Sequence, residues 1–120
     1  MREKILIIDD ELEVCNLLKD FLEIDGYEVD YSINAREGLE KFREKRPGVV
    51  LLDIRMPDMN GITAVEEIRK TDKKCDIIMC TAVVDQEVID EAFKTGANDY
   101  ILKPFDLEDL LKKIRERMNL

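Results

Sequence analysis

A single α/β domain built on a parallel sheet is what this sequence predicts, and three observations carry the prediction. Short apolar runs recur along the chain, each ending at a polar residue. Stretches with helical spacing of apolar residues fill the gaps between them. A chain of 120 residues is one domain's worth of protein, so residues 1–120 are read as one unit with one core. Strict strand–helix alternation with short connections calls for parallel pairing, helices on both faces and right-handed crossovers.

The elements follow in order. Ile5 to Ile8 is apolar throughout, as a strand buried on both faces must be. Val14, Leu17, Leu18, Phe21 and Leu22 repeat at helical spacing, and Gly26 closes that helix. Tyr27 to Tyr31 alternates with Glu28 and Asp30, the pattern of an edge strand. Asn34 reads as an N-cap with Glu37 as its box partner, opening a helix through Ala35, Leu39 and Phe42. Val49 to Leu52 is the next buried strand, and Val65 with Ile68 marks a shorter helix after Gly61. Ile77 to Cys80 follows as a strand. Val88, Ile89, Ala92 and Phe93 then form a stripe between Asp85 as N-cap and Gly96 as terminator. Tyr100 to Leu102 is the last strand, and Leu107, Leu110, Leu111, Ile114 and Met118 form the last helical stripe after Asp106.

Composition narrows the chemistry. No apolar run outlasts that of Ile5 to Ile8, whereas a membrane span needs about 20 residues, and the N-terminus lacks a signal-peptide stretch. No membrane association and a cytoplasmic location are the expectation. Nineteen Lys and Arg against 28 Asp and Glu leave a net charge of −9, which repels phosphate backbones and argues against direct nucleic-acid binding. Lys112, Lys113, Arg115 and Arg117 follow Glu108 and Asp109 at helical pairing distance and suit a helix C-terminus. Cys15, Cys75 and Cys80 form no CxxC pair and read as small hydrophobes in a reducing compartment. The absence of His removes Ser-His-Asp and Cys-His catalysis and His-based zinc sites. Neither GxxxxGK[ST] nor GxGxxG occurs, so no nucleotide cofactor is expected.

The functional signal lies at the strand ends. Asp9-Asp10 follows the first run, Asp53 the run at Val49, Thr81 the run at Ile77, and Lys103-Pro104 the last. Open α/β sheets place their sites outside the carboxyl ends of the strands. Each residue alone reads as a cap or a surface charge; four strands delivering them to one edge is harder to dismiss. Two carboxylates about 5 Å apart at an effective dielectric of about 20 repel by roughly 3 kcal/mol. A raised carboxyl pKa or a divalent cation would offset this. An all-oxygen donor set suits Mg²⁺. With a cation in place, one carboxylate could attack a phosphoryl group while Lys103 neutralises its oxygens. On residues alone, Tyr100 reads as a partly buried ring with its hydroxyl in water.

The chain resembles a response-regulator receiver domain of bacterial two-component signalling, similar to the chemotaxis response regulator and to single-domain phosphorelay regulators. The resemblance rests on Ile7-Ile8-Asp9-Asp10-Glu11, the run Leu51 to Gly61, Thr81-Ala82, Gly96 to Tyr100, and Lys103-Pro104-Phe105. It implies a (βα)5 doubly wound, flavodoxin-like fold with strand order 2-1-3-4-5. It implies that Asp53 is the phosphoacceptor, taking a phosphoryl group from a sensor histidine kinase or histidine phosphotransfer protein. Asp10, Asp53 and the backbone carbonyl of Arg55 would ligate Mg²⁺, with Mn²⁺ as a substitute, and Asp9 would hold the metal through water. Lys103 would pair with Asp53 and then with the phosphoryl group, from a cis Lys103-Pro104 peptide. Thr81 and Tyr100 would form the switch that reshapes the face of the fourth helix, fifth strand and fifth helix for a downstream protein target. Such a protein is a phosphoacceptor rather than an enzyme, and a monomer while unphosphorylated. Arg55 and Val83 would flank the phosphoryl group and affect its lifetime.

Three other readings stand beside it. The chain could be a receiver cut from a larger transcriptional regulator. It could be a small Mg²⁺-dependent phosphatase of the haloacid dehalogenase type, but Arg55 stands where those enzymes carry a second Asp. A flavin-binding module ranks below both, because three carboxylates would repel the flavin phosphate.

Overall fold

The structure, a computed structural model, describes residues 3–118. Five strands and five helices alternate: β1 (Lys4–Ile8), α1 (Leu12–Ile24), β2 (Glu28–Ser32), α2 (Ala35–Lys45), β3 (Val49–Leu52), α3 (Gly61–Thr71), β4 (Asp76–Thr81), α4 (Gln86–Thr95), β5 (Asp99–Leu102) and α5 (Leu107–Met118). The strands form one parallel sheet, as the strand–helix alternation predicts, in the order β2-β1-β3-β4-β5 that the resemblance implies.

The uninterrupted apolar runs are explained by two cores. Successive side chains of a strand point to opposite faces, so Leu6, Ile8, Val50, Leu52, Ile77 and Met79 pack against α2, α3 and α4. Ile5, Ile7, Val49, Leu51, Ile78 and Cys80 pack on the other face against Cys15, Leu18 and Leu22 of α1 and Leu110, Leu111 and Ile114 of α5. Neither face of a central strand can be polar. The order of the sheet leaves β1 and β3 adjacent at its centre, where the connections leave toward opposite faces; that crevice is the position at which the site forms.

The caps hold the helices in register with the strand ends. Asn34 accepts from the Glu37 N–H at the start of α2, Asn60 from Ile62 at the start of α3, and Asp85 from Glu87 at the start of α4. The reciprocal half of the predicted box at α2 does not form, because the Glu37 carboxylate turns to Lys41. Gly96 ends α4 at φ 138°, a left-handed conformation that costs glycine least. The Arg69 guanidinium lies over it, donating to the Gly96 carbonyl and to Asn98 Oδ1 and so tying α3 to the end of α4. At the free edge of the sheet, Lys19 and Lys41 donate to the Val29 and Tyr31 carbonyls of β2, closing part of an edge that could recruit another strand.

Several local expectations need correction. On α1 the buried stripe is Cys15, Leu18 and Leu22, while Leu17 is 56% exposed. On α4 only Ala92 is buried, and Phe93 is 42% exposed. Thr81 is the last residue of β4 rather than the residue after it. Among the described residues, the cations of α5 make no ion pair along their own helix. Lys113 reaches Asp99, Arg115 reaches Asp25, and Arg117 reaches Asp76 and Asp99. The strands and turns that α5 packs against bring acids closer than those one turn away.

Candidate functional site

The site is built from strand ends. The Asp9 N–H donates to the Ser32 carbonyl and that of Asp53 to Ile8, each at 3.0 Å, so both acids continue the ladder of the sheet rather than hanging on mobile loops. Asp9 Oδ1 then accepts from Glu11 at 2.9 Å, and Asp53 Oδ1 from Arg55 at 3.2 Å. Lys103 is held by its own N–H on the Thr81 carbonyl, and its peptide bond to Pro104 is cis. Gly61 packs against the main chain of Asp53 and Ile54. Its N–H donates to the Ile54 carbonyl at 2.7 Å, and a Cβ there would lie 2.2 Å from the Asp53 carbonyl oxygen.

The Lys103 ammonium meets three carboxylates at once: Asp9 at 2.6 Å, Asp53 at 2.9 Å and Glu11 at 3.2 Å. Its three protons are thereby all engaged. Asp9, Asp10, Glu11 and Asp53 each offer a carboxylate oxygen, all within 4.8 Å of one another. Among the described residues, Lys103 is the only cation paired with Asp9, Glu11 or Asp53, so the acids outnumber their counter-ion. Asp9 and Asp53 are buried, and Asp10 is exposed with no protein donor among the described residues. This all-oxygen set, too negative for one ammonium, fits a hard divalent cation of the Mg²⁺ type.

The comparisons agree with this geometry. The sequence pattern of the response regulator receiver domain matches residues 5–115.

The chain belongs to the response regulator receiver family.

It is 45% identical over 106 residues to the chemotaxis protein CheY of Thermotoga maritima, covering 88% of each chain. It is 39% identical over 120 residues to CheY of Bacillus subtilis, covering 99% of this chain and 100% of that one. Among solved structures, a CheY-like receiver from Methanospirillum hungatei superposes with a TM-score of 0.96 at 35% identity, covering 99% of this chain and 95% of that one. The BeF3-activated DrrB receiver domain superposes at 0.93 and 28%, with 100% of both chains covered. The protein is thus a phosphoacceptor of two-component signalling, not a turnover enzyme, and its acidic cluster is the type receivers use for a metal. A histidine kinase partner follows from the family.

Electrostatics set the charge states in the receiver pocket. Burial pushes the Asp9 carboxyl above its ordinary value, only partly opposed by the Lys103 hydrogen bond and the Glu11 N–H. Burial works against the Lys103 charge, but the hydrogen bonds from Lys103 to Asp9 and Asp53 outweigh it and hold the ammonium above the ordinary lysine range. Lys103 is therefore charged at any working pH. The three cysteines are buried, and burial raises the Cys15 and Cys75 thiols to about 11, which makes them poor nucleophiles.

The predicted site residues fall into two groups. Asp9, Asp10, Asp53 and Lys103 converge directly. Thr81 is buried behind them, and its Oγ1 accepts from the Val83 N–H at 3.4 Å. Tyr100 lies farther out, and its hydroxyl is not left to water: it donates to the Val83 carbonyl at 2.7 Å, with the ring 6.3 Å from that of Phe93. Burial, and then the Asp53 charge, raise the Tyr100 hydroxyl pKa, so it remains a donor. Two residues within the sequence motifs acquire a role only in the structure. Glu11 supplies the third partner of Lys103, and Asp58 caps α2 from across the fold. No pattern in the sequence pairs Glu11 with a lysine 92 positions away.

Proposed function

We propose that Asp53 accepts the phosphoryl group, that Lys103 and Thr81 receive its oxygens, and that Thr81 and Tyr100 pass the change to the face of α4, β5 and α5. The observation that carries this reading is the three-carboxylate contact of Lys103 at the ends of β1, β3 and β5. An Asp53 carboxylate oxygen attacks the phosphorus of a partner's phosphohistidine. The new O–P bond forms as the P–N bond breaks, and the electron pair leaves with the imidazole. Lys103, already held at Asp53, turns its charge to the equatorial oxygens. Asp10, Asp53 and the Arg55 carbonyl would hold Mg²⁺, or Mn²⁺ in its place, with Asp9 engaged through water, and the ion would supply charge neutralisation at the phosphoryl oxygens.

The switch follows from the hydrogen bonds. Thr81 Oγ1 accepts from the Val83 N–H and donates to no protein acceptor among the described residues, which leaves its proton for a phosphoryl oxygen. The same Val83 residue offers its carbonyl to Tyr100. A Thr81 drawn toward the phosphoryl group therefore moves the residue to which Tyr100 is anchored. Phosphate biases this equilibrium only by its preference for one arrangement.

The wider reading rests on the family and on composition: one receiver domain over residues 1–120, cytoplasmic and monomeric when unphosphorylated, acting on a downstream protein rather than on nucleic acid. Val14, Leu17, Pro104 and Phe105 line a groove beside Lys103 that suits a histidine kinase or phosphotransfer protein. The relatives include proteins of similar length and the Escherichia coli regulatory protein AtoC, 42% identical, of which this chain spans 23%. The acceptor chemistry is the same if this receiver stands alone or serves a larger regulator.

Amide NMR with Mg²⁺ and beryllofluoride tests the relay. Shifts are expected at the pocket and also at Val83, Phe93 and Tyr100, with the distant shifts lost in Thr81→Ala. Wild-type shifts confined to the pocket would contradict it.

A further inference from the structure

We propose that Asp58 is a positioning residue for the metal side of the pocket: it fastens the tip of the β3–α3 loop to the N-terminus of α2 and so fixes the Arg55 carbonyl. The inference rests on the reading of that carbonyl as a metal ligand.

The loop from Ile54 to Asn60 is closed at its base. The Gly61 N–H meets the Ile54 carbonyl at 2.7 Å, Arg55 and Asn60 form an antiparallel bridge, and the Arg55 N–H is engaged by Asp53. Met56 and Met59 pack partly buried against the core on either side of the tip, where Pro57 and Asp58 are exposed. Asp58 adds a polar tether from that tip to the neighbouring helix. Its Oδ1 accepts from the Ala35 N–H and its Oδ2 from the Arg36 N–H, each at 2.9 Å. These are first-turn donors at the positive end of a helix, where an anionic acceptor bonds best. The helix has its own cap, but Asn34 takes only the Glu37 N–H and leaves these two for the loop. Burial is the largest single influence and pushes the Asp58 carboxyl up, but the Ala35 and Arg36 hydrogen bonds, with the other favourable contacts, outweigh it and hold the carboxyl below its ordinary value, so it stays an acceptor at neutral pH.

The chemistry gives the tether a purpose. Carboxylate ligands can rotate to suit an ion, but a backbone carbonyl moves only with its loop. Mg²⁺ demands near-octahedral geometry at about 2.0–2.1 Å, whereas Ca²⁺ accepts a looser shell at about 2.3–2.6 Å. A loop free at its tip would lose Mg²⁺ affinity more than Ca²⁺ affinity. Outer partners of metal ligands commonly contribute tenfold or more to affinity.

Calorimetric titration of the full chain with Mg²⁺ and with Ca²⁺ tests this. Asp58→Ala is expected to weaken Mg²⁺ about fivefold to tenfold and Ca²⁺ about twofold or less, with Asp58→Asn, which keeps one acceptor, in between. Asn34→Ala removes the helix's own cap without touching the loop, and is expected to lower the melting midpoint while leaving Mg²⁺ affinity unchanged. Equal Mg²⁺ affinity in wild type and Asp58→Ala would overturn the inference. So would equal weakening by Asp58→Ala and Asn34→Ala, which would trace the effect to α2 stability. Wild-type Mg²⁺ binding that survives Asp10→Asn would instead refute the metal site itself, and this inference with it.

Discussion

Gly61→Ala is expected to destabilise the protein by on the order of 4 kcal/mol, lowering the thermal midpoint by roughly 15 °C. The added methyl carbon would sit 2.2 Å from the Asp53 carbonyl oxygen and 2.6 Å from Ile54 Cα. Both are main-chain atoms of β3 or its continuation, so no side chain can swing away to make room. Overpacking of a core side chain costs about 1–3 kcal/mol; here the backbone that carries the acceptor must shift. The Gly61 to Ile54 hydrogen bond would break with it. Thermal unfolding of the two proteins checks this, and a midpoint within a few degrees of wild type would show that the loop yields cheaply.

Lys103→Met is expected to produce the second largest effect, and one that depends on metal. The substitution keeps the packing of a long side chain but removes the counter-ion of Asp9 and Asp53, whose side chains are only 4% and 8% exposed. Leaving buried charge uncompensated costs about 3 kcal/mol. In EDTA the unfolding free energy from denaturant titration should fall by that much. With saturating Mg²⁺ the loss should be no more than about half, because a bound cation offsets the same charges and binding adds its own stability. The loss in EDTA should also be smaller at low pH, since Asp9, whose carboxyl lies above its ordinary value, takes up a proton there and relieves the repulsion. An equal loss with and without Mg²⁺ would mean that Lys103 acts through packing alone.

Much of this molecule was readable as sequence, for a physical reason. A central parallel strand buries both faces, so runs such as Val49 to Leu52 stand out without any periodicity, and their polar terminators mark one edge of the sheet. Asp9, Asp53 and Lys103 were legible because strand ends in this topology share a place in space. Partner choice was not legible. Glu11 could be seen beside two aspartates, but its contact with Lys103 depends on the approach of α1 to the loop after β5. Asp58 looks like an ordinary turn residue until α2 brings two free N–H groups to it. The α5 cations illustrate the same limit: helical spacing offered Glu108 and Asp109, whereas packing offered Asp25, Asp76 and Asp99. Leu17 and Phe93 fit helical stripes yet remain exposed, because spacing gives the direction of a side chain and not how much sheet lies beneath it.

Intact-mass measurement after incubation with a small-molecule phosphodonor, with and without Mg²⁺, on wild type and Asp53→Asn, tests the acceptor chemistry most directly. The expected result is one phosphoryl adduct on wild type, present only with Mg²⁺ and absent from Asp53→Asn. An adduct of equal yield on Asp53→Asn, or one indifferent to Mg²⁺, would contradict the assignment of Asp53 as the acceptor in a metal-assisted pocket.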